Sequence, residues 1–356
     1  MKVVGVLRGF PGLGRVVSGV EILQQFERQL GAKIKLFTYL QGHEYAKNIF
    51  NTSNIFSEKD ISSIGIIPVS QSGEMIIDEI AAFKPDYILI DGEPLLLTAL
   101  KLIFPKSNVV AILNPFDICN PHNKLSSQLF FKDCYAKAKL AIAHGIWRVG
   151  KPNEFYNNFI SINTILRSEI MEIQPTPKKN KIVCILGGGT ENGSDIFFEN
   201  TLRIASQAIA IAKQLSDFKI EILCASKRVS EQINIFMNLP PNVVIHKTLK
   251  APKEIYAEAN LVIARAGRNT ISELLYLKIP SLLFATSCNI RGSEQQTNLE
   301  EAQKISNKTL IGLDIYSNQK QLLETVNFLL ESNQNNYAWE CGNNTLKPII
   351  REALCL

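Results

Sequence analysis

Two carboxylates in the first half of the chain, Asp91 and Glu93, have types and spacing suited to acid–base chemistry. They end the segment Pro85–Pro94, in which a short apolar run predicts a strand and the final proline predicts the first turn of a helix. A carboxylate in a partly dry cleft can accept a proton from a reacting hydroxyl. We expect Asp91 to be the better base, whereas Glu93 could equally cap the helix. Two other groups at predicted strand ends are substitutes, Asp117 and His144.

A glycine-rich loop, Arg8–Arg15, follows the first predicted strand and could bring its backbone close to a ligand. The N-terminus of the next helix would carry a partial positive charge toward that ligand. The glycines lack the G-x-G-x-x-G spacing of dinucleotide sites, so they support such a site only weakly. Arg15 could hold a leaving phosphate or an anionic acceptor, or could be an ordinary surface arginine.

A second glycine turn lies in the segment Ala264–Phe284, between a predicted strand and a helix that begins near Asn269. Backbone N–H groups at a helix start are unpaired, so a diphosphate could bind there without a metal. Glu273 lies just over one turn into the helix and could accept both hydroxyls of a ribose. The alternative is an ordinary helix start with a solvated carboxylate. A second polar cluster downstream favours the binding site: Gln295, Gln296 and Asn298.

The histidines predict no metal centre, because the four are far apart and form no H-x-x-x-H or H-E-x-x-H pattern. No Asp-x-Asp element occurs either. We therefore expect chemistry without a metal or a cofactor, in which helix dipoles and arginines stabilise a departing diphosphate.

Length and composition indicate a globular protein of two domains, since 356 residues exceed one ordinary core. Apolar residues make up 46% and charged residues 20%, which excludes disordered and coiled-coil classes. The net charge of +5 is small and scattered, so we expect no nucleic-acid partner, while weak contact with an anionic membrane surface stays open. The seven cysteines form no C-x-x-C pair and are typical of a cytoplasmic protein. The start of the chain predicts a strand rather than an export signal, and no run is long enough for a transmembrane helix.

Short β-branched runs alternate with helical patterns along the whole chain, which predicts parallel sheets built from βαβ units. A helix is expected over Val16–Leu30 with Gly31 as its C-terminal cap, another after Pro94, and a long one that runs through Ile211. In the first half the predicted strands are Lys2–Leu7, Ile34–Tyr39, Ile66–Val69, Tyr87–Asp91, Val109–Asn114 and Leu140–His144. In the second half they are Ile182–Leu186, Ile220–Cys224, Val243–His246, Leu261–Ala264 and Ser281–Phe284.

A domain boundary is predicted at the polar, proline-punctuated segment Gln174–Lys181, after which the strand–loop–helix pattern restarts. We expect an acceptor-binding domain over residues 1–173 and a nucleotide-sugar-binding domain over residues 181–340. A helix over residues 341–356 could pack back on the first domain. Each half has a glycine turn after its first strand, as in two Rossmann-like, doubly wound α/β domains that face each other across a cleft.

The segment Ala264–Phe284 resembles the nucleotide-binding motif of family 28 of the glycosyltransferases, and the resemblance extends over residues 182–305. Gln295 and Gln296 are similar to the family's paired glutamines, which contact donor-sugar hydroxyls. Arg268 stands where the family has a small residue and could add a cation for the phosphates. The resemblance also implies a phosphate contact at Thr190 and a uracil-reading loop near Leu249. The donor-binding residues implied are Gly188, Gly189, Thr190, Leu249, Arg265, Gly267, Arg268, Asn269, Thr270, Glu273, Gln295 and Gln296.

The resemblance implies a GT-B glycosyltransferase that moves a sugar from a nucleotide-diphosphate donor, expected to be a UDP-sugar, to an acceptor hydroxyl or amine with inversion. Related enzymes often carry a histidine base where this chain has Arg15, so the base must be another group. Hydrolases and epimerases of UDP-sugars share this fold, so they stay open as alternatives. So does a non-catalytic nucleotide-sugar-binding subunit. The sequence names neither the acceptor nor the oligomeric state.

Overall fold

A computed structural model gives the structure of the chain. It describes residues 1–356 except 10–11, 56–65, 121–123, 157, 175, 177–178, 188–194, 225, 248–250, 287–291, 333–335, 347 and 349–356. The chain divides into two compact units. The first comprises Met1–Arg167 and Cys341–Leu356, and the second comprises Ser168–Glu340. The first unit thus ends at Arg167 rather than at residue 173, and it includes the C-terminal segment.

The first unit contains one sheet of seven parallel strands in the order β3-β2-β1-β4-β5-β6-β7. Its strands are β1 (Lys2–Leu7), β2 (Lys33–Thr38), β3 (Thr52–Asn54), β4 (Tyr87–Asp91), β5 (Val109–Leu113), β6 (Leu140–Gly145) and β7 (Phe159–Asn163). Its helices are α1 (Gly14–Leu30), α2 (Gln41–Ala46), α3 (Ile66–Phe83), α4 (Pro94–Ile103), α5 (Pro115–Cys119) and α6 (Leu125–Ala136). The chain winds outward from β1 in both directions, which is the doubly wound topology.

Strand β1 shows why this sheet is covered on both faces. Val4 and Val6 belong to one buried cluster, whereas Val3 and Leu7 belong to another. Successive side chains of a strand point to opposite faces, so an uninterrupted apolar run fits a strand between two helical layers. The following helix α1 ends as expected at Gly31, whose φ of 59° lies in the left-handed region that favours glycine.

The C-terminal segment joins the first unit through specific contacts. Gly342 N–H donates to Thr164 O over 2.9 Å, and the Asn343 side chain both accepts from Leu166 N–H and donates to Leu166 O, each over 2.8 Å. Leu346 is fully buried in the cluster that contains Val3. A polar anchor and an apolar contact therefore tie this segment to the sheet near β7.

The second unit contains one sheet of six parallel strands in the order β10-β9-β8-β11-β12-β13. Its strands are β8 (Lys181–Ile185), β9 (Lys219–Leu223), β10 (Val243–His246), β11 (Ala259–Arg265), β12 (Ser281–Phe284) and β13 (Leu310–Leu313). Its helices are α7 (Ser168–Met171), α8 (Asp195–Gln214), α9 (Lys227–Phe236), α10 (Pro252–Tyr256), α11 (Arg268–Leu277), α12 (Gly292–Ser306) and α13 (Gln319–Glu331). The expectation of two doubly wound α/β domains is therefore confirmed.

One predicted strand is wrong: Ile66–Val69 forms the start of helix α3. The physical reason lies in Pro68, which is tolerated in the first turn of a helix but removes a donor from a strand ladder. Further along α3, Ile76 and Ile80 are four residues apart and both buried, as one face of a helix requires. The prediction also missed three short strands at the sheet edges, β3, β7 and β13.

No helix in the described part of the chain is both long and apolar enough to cross a membrane.

Candidate functional site

The candidate catalytic residues of the first unit lie at the carboxyl ends of neighbouring strands. Asp91 is the last residue of β4 and is in register with Leu7 on β1 and Ile112 on β5. Arg15 lies in α1 after β1, and Asp117 lies in α5 after β5. Because parallel strands end at one edge of a sheet, these loops converge although the residues are far apart in sequence.

Arg15 bridges two carboxylates of this edge. Its Nη1 lies 2.7 Å from Asp91 Oδ1, and its Nη2 lies 2.6 Å from Asp117 Oδ1. The Asp91 side chain is 1% exposed, against 14% for Arg15 and 19% for Asp117. Burial lowers the pKa of Arg15, but the Asp117 and Asp91 carboxylates outweigh it and hold this pKa well above the ordinary value. Arg15 is thus a half-buried cation that is paired with two carboxylates.

Glu93 occupies the N-cap position of α4, yet its side chain makes no capping hydrogen bond. Its Oε1 instead accepts a 3.1 Å hydrogen bond from the Tyr39 hydroxyl, and both side chains are buried. Sequence reasoning missed Tyr39, which directly follows strand β2. The tyrosine hydroxyl at the carboxyl end of a predicted strand could have indicated this residue.

Tyr135 in α6 also belongs to this group of polar side chains, although the sequence did not indicate it. Burial raises its pKa well above the ordinary value, and the carboxylates of Asp117, Asp91 and Glu93 raise it further, against the opposing effect of Arg15. We call these six residues the carboxylate cluster: Arg15, Tyr39, Asp91, Glu93, Asp117 and Tyr135.

His144 has a backbone partner at the end of β6. It is fully buried, and its Nδ1 lies 3.3 Å from the Ile165 N–H, which donates to it. This contact holds the segment that follows β7, so the structure gives His144 a structural contact inside the first unit.

In the second unit, the loop between β11 and α11 presents a helix N-terminus. Gly267 occupies the N-cap position with φ −79° and ψ 140°, and as a glycine it contributes no side chain to the cap. The first N–H groups of α11, from Arg268 to Thr270, lie at the positive end of the helix dipole. Arg268 is buried and its Nε donates to Asn269 Oδ1 over 3.2 Å, while Asn269 and Thr270 are half-buried. This end of α11 can receive an anion.

Glu273 lies one turn further along α11 and is held by Tyr256 of α10. The Tyr256 hydroxyl donates to Glu273 Oε2 over 2.7 Å, and both side chains are buried. The solvated-carboxylate alternative for Glu273 does not describe this structure. Tyr256 was not indicated by the sequence, since nothing local relates it to a residue 17 positions away.

Arg265 ends β11 and is packed inside the second unit. Its guanidinium carbon lies 3.8 Å from the centroid of the Phe197 ring, and Nη2 donates to Thr201 Oγ1. Gly187, with φ 81°, begins the turn after β8, and a Cβ there would lie 4.0 Å from Arg265 Nη1. Arg265 therefore sits beside the start of the glycine turn. The expected contacts at Gly188, Gly189, Thr190 and Leu249 fall outside the described residues.

The two glutamines of the expected donor-sugar motif differ in environment. Gln295 is buried, and its Oε1 accepts from both the N–H and the hydroxyl of Thr286, over 2.9 and 2.8 Å. Gln296 is exposed and donates to Glu300 over 2.9 Å. Thr286 was missed by the sequence and fixes the orientation of the Gln295 amide.

Among the described residues, no group of three or more His, Cys, Asp or Glu side chains could hold a metal ion. Two surface cavities, of about 470 Å³ beside Met1 and Asn108 and about 620 Å³ beside Glu231 and Lys247, are lined by none of the candidate residues.

Comparison with known proteins finds a family resemblance in the second half of the chain. Residues 182–349 match the glycosyltransferase family 28 C-terminal domain. A UDP-N-acetylglucosamine--N-acetylmuramyl-(pentapeptide) pyrophosphoryl-undecaprenol N-acetylglucosamine transferase from Oceanobacillus iheyensis is 30% identical over 127 residues, which are 36% of this chain. The match spans about a third of that relative, 32% of its length.

Solved structures are similar over the whole chain. The spinosyn rhamnosyltransferase SpnG has a TM-score of 0.62 at 14% identity, covering 100% of this chain and 96% of its own. The UDP-GlcNAc 2-epimerase from Neisseria meningitidis has a TM-score of 0.61 at 15% identity, covering 100% of both chains. The chain therefore has the GT-B fold, and its C-terminal half resembles the glycosyltransferases of family 28.

Proposed function

We propose that the protein is a glycosyltransferase that takes a sugar from a UDP-sugar and transfers it to a hydroxyl or amine acceptor. The observation that carries this proposal is the family 28 match over residues 182–349, which contains the glycine turn at the start of α11 and the oriented carboxylate of Glu273. The same fold hosts other reactions, so these site residues, rather than the fold, support sugar transfer.

The donor would bind to the second unit. Its diphosphate would accept hydrogen bonds from the first N–H groups of α11, where the helix dipole favours negative charge. Arg268 adds a cation at the same helix start. The Glu273 carboxylate, held by Tyr256, would accept the ribose hydroxyls. Gln295 and Gln296 would contact the sugar, as their resemblance to the family motif implies.

The first unit would supply proton transfer. In the proposed step, the acceptor oxygen bonds to the anomeric carbon, its proton passes to Asp91, and the bond to the diphosphate breaks to release UDP. A single displacement of this kind inverts the anomeric centre. We expect the leaving diphosphate to be stabilised by α11 and Arg268, with no metal or cofactor, in a cytoplasmic protein that could touch a membrane surface.

Thermal unfolding in the presence of nucleotides tests the donor assignment. A ligand stabilises the folded state by an amount that grows with the logarithm of its concentration over its dissociation constant. We expect UDP to raise the melting temperature more than GDP or dTDP at equal concentration. Equal shifts for all three nucleotides would contradict the preference for UDP.

An epimerase or hydrolase of UDP-sugars is the second candidate, favoured by the similarity to a UDP-GlcNAc 2-epimerase over the full chain. Incubation with a UDP-sugar and no acceptor separates the reactions. Rapid release of UDP would indicate hydrolysis, and a changed sugar without a transfer product would indicate epimerisation. Tight binding without turnover until another protein is added would indicate a non-catalytic subunit. We expect UDP release to depend on an added acceptor.

A further inference from the structure

We infer that Arg15 is a positioning residue that fixes and keeps ionised the Asp91 carboxylate, instead of binding the phosphates of the donor. This inference rests on the proposed function, in which Asp91 accepts the acceptor's proton. Three side chains form one bridge inside the first unit: Asp117 is a fixed anchor, Arg15 is a planar cation, and Asp91 is the carboxylate that Arg15 holds.

Asp117 is the anchor of the bridge. Its Oδ2 accepts the Asn114 N–H over 2.8 Å, and the Asn114 side chain accepts in return from the first turn of α5, so the two residues form a capping box. Its other oxygen, Oδ1, receives Arg15 Nη2. Both oxygens of Asp117 therefore have partners in the structure, which makes Asp117 a fixed point for Arg15 and a poor candidate for proton transfer.

Arg15 links the fixed carboxylate of Asp117 to the carboxylate of Asp91. A guanidinium is a rigid planar fork whose donors point in set directions, so an arginine held at one nitrogen presents the other in a defined place. Its Nη1 donates to Asp91 Oδ1 over 2.7 Å. The backbone is fixed as well, because the Arg8 N–H donates to Asp91 O over 3.0 Å. The carboxylate is thus oriented through both its side chain and its main chain.

The chain leaves space for this bridge at Gly92. Its φ of 80° is left-handed, and a Cβ there would lie 2.7 Å from Arg15 Cδ and 2.9 Å from Arg8 Cβ. Any larger side chain would push against the stem of Arg15. Glycine at this position therefore suits both the turn after β4 and the packing of the arginine.

The charges around Asp91 explain why a cation is needed to keep its carboxylate ionised. A like charge nearby disfavours ionisation of a carboxylate, and an opposite charge favours it. Asp91 is 1% exposed with Arg15 in place, so without that cation we expect the carboxyl to hold its proton to higher pH. Arg15 contacts Asp91 directly and also holds Asp117. Tyr135 interacts electrostatically with Asp91, Asp117 and Glu93.

Replacing Arg15 tests the inference through the pH profile. For Arg15→Gln we expect the acidic limb of kcat/KM to move upward by about one to three pH units, the usual effect of removing an opposite charge from a carboxylate. We expect kcat to fall roughly 10- to 100-fold because the carboxylate loses its orientation. The affinity for UDP, measured by calorimetry, should stay within about twofold of wild type, since no phosphate contact is lost. Arg15→Lys is the matched control: it keeps the charge but loses the fork, so the acidic limb should stay in place while kcat falls.

A readout without turnover keeps the inference testable if the proposed function fails. Infrared titration of protonated carboxyl bands, with Asp91→Asn to identify the Asp91 band, should show Asp91 protonating at higher pH in Arg15→Gln than in wild type. An unmoved Asp91 band overturns the inference. So does a loss of UDP affinity above tenfold in a variant whose thermal unfolding remains cooperative, because that result would make Arg15 a phosphate ligand. Failure of wild-type protein to bind any nucleotide sugar would instead contradict the proposed function alone.

Discussion

The Tyr256 hydroxyl donates a 2.7 Å hydrogen bond to Glu273 Oε2, and this contact joins α10 to the helix that would bind the donor. A buried carboxylate held at one oxygen is oriented before any ligand arrives. The pair therefore fits a preorganised receptor for ribose hydroxyls better than a flexible surface glutamate would.

Replacing Glu273 should weaken nucleotide binding. We expect Glu273→Ala to reduce the affinity for UDP by roughly 1 to 3 kcal/mol, the range for hydrogen bonds to a charged group. Titration calorimetry measures this change. Tyr256→Phe is the matched control, because it removes the orienting hydroxyl but keeps the carboxylate, so its effect on affinity should be smaller. Unchanged affinity in Glu273→Ala would remove Glu273 from the site.

Asp91 and Glu93 should differ in their effect on turnover. We expect Asp91→Asn to retain UDP-sugar binding and to lower kcat by roughly two to four orders of magnitude, the usual contribution of a general base. Glu93→Gln should lower kcat less. Steady-state kinetics with a donor and acceptor pair measures both changes, and thermal unfolding checks that each variant is folded. The reverse order of effects would assign proton transfer to Glu93, and retention at the anomeric centre would contradict a single displacement.

Gly92 should tolerate no side chain. Its left-handed φ and the close approach of Arg15 and Arg8 lead us to expect that Gly92→Ala lowers the free energy of unfolding by about 1 to 3 kcal/mol. Urea unfolding measures this. Gly150→Ala is the control, since a Cβ there meets nothing within 4 Å, and its effect should stay within about 0.5 kcal/mol. Equal free energies of unfolding for Gly92→Ala and Gly150→Ala would contradict this prediction.

Tyr135 should make the protein less stable in alkali. Its folded-state pKa is raised by burial and by Asp117, so its contribution is complete below the unfolded pKa of about 10 and is lost as pH rises through the folded pKa. We expect the free energy of unfolding to fall less steeply above about pH 10 in Tyr135→Phe than in wild type. Tyr156→Phe, at a side chain that is 85% exposed, serves as the control. Parallel pH dependences for wild type and Tyr135→Phe would contradict the prediction.

The two glutamines of α12 should separate folding from donor recognition. Gln295→Ala leaves the buried N–H and hydroxyl of Thr286 without their acceptor, so we expect a loss of about 1 to 3 kcal/mol in the free energy of unfolding. Gln296 is exposed, so Gln296→Ala should change the free energy of unfolding by less than about 0.5 kcal/mol. If both glutamines contact the sugar, both variants should bind a UDP-sugar more weakly while binding UDP itself as wild type does. Calorimetry with UDP and with UDP-sugar distinguishes these cases.

The sequence by itself determined the class of fold and most strand positions. Valine-rich apolar runs such as the one in Lys2–Leu7 form strands where both faces are buried, and Gly31 ends α1 because glycine readily adopts a left-handed conformation. These are local effects, so a local pattern reveals them. The motif around Glu273 could likewise be recognised from the sequence because its residues are close together in the chain.

Only the tertiary structure decided which polar side chains meet. Arg15 lies 76 residues from Asp91 and 102 from Asp117, Tyr39 lies 54 from Glu93, and Tyr256 lies 17 from Glu273. No periodicity relates such residues, because their contacts depend on how each helix and loop closes over the sheet. The segment Ile66–Val69 is similar: its apolar run suits a strand or a helix, and burial of the following helical face in α3 selects the helix. Partner choice among buried polar groups follows from packing across the whole domain, since each such group must find its hydrogen bonds where the fold happens to place them.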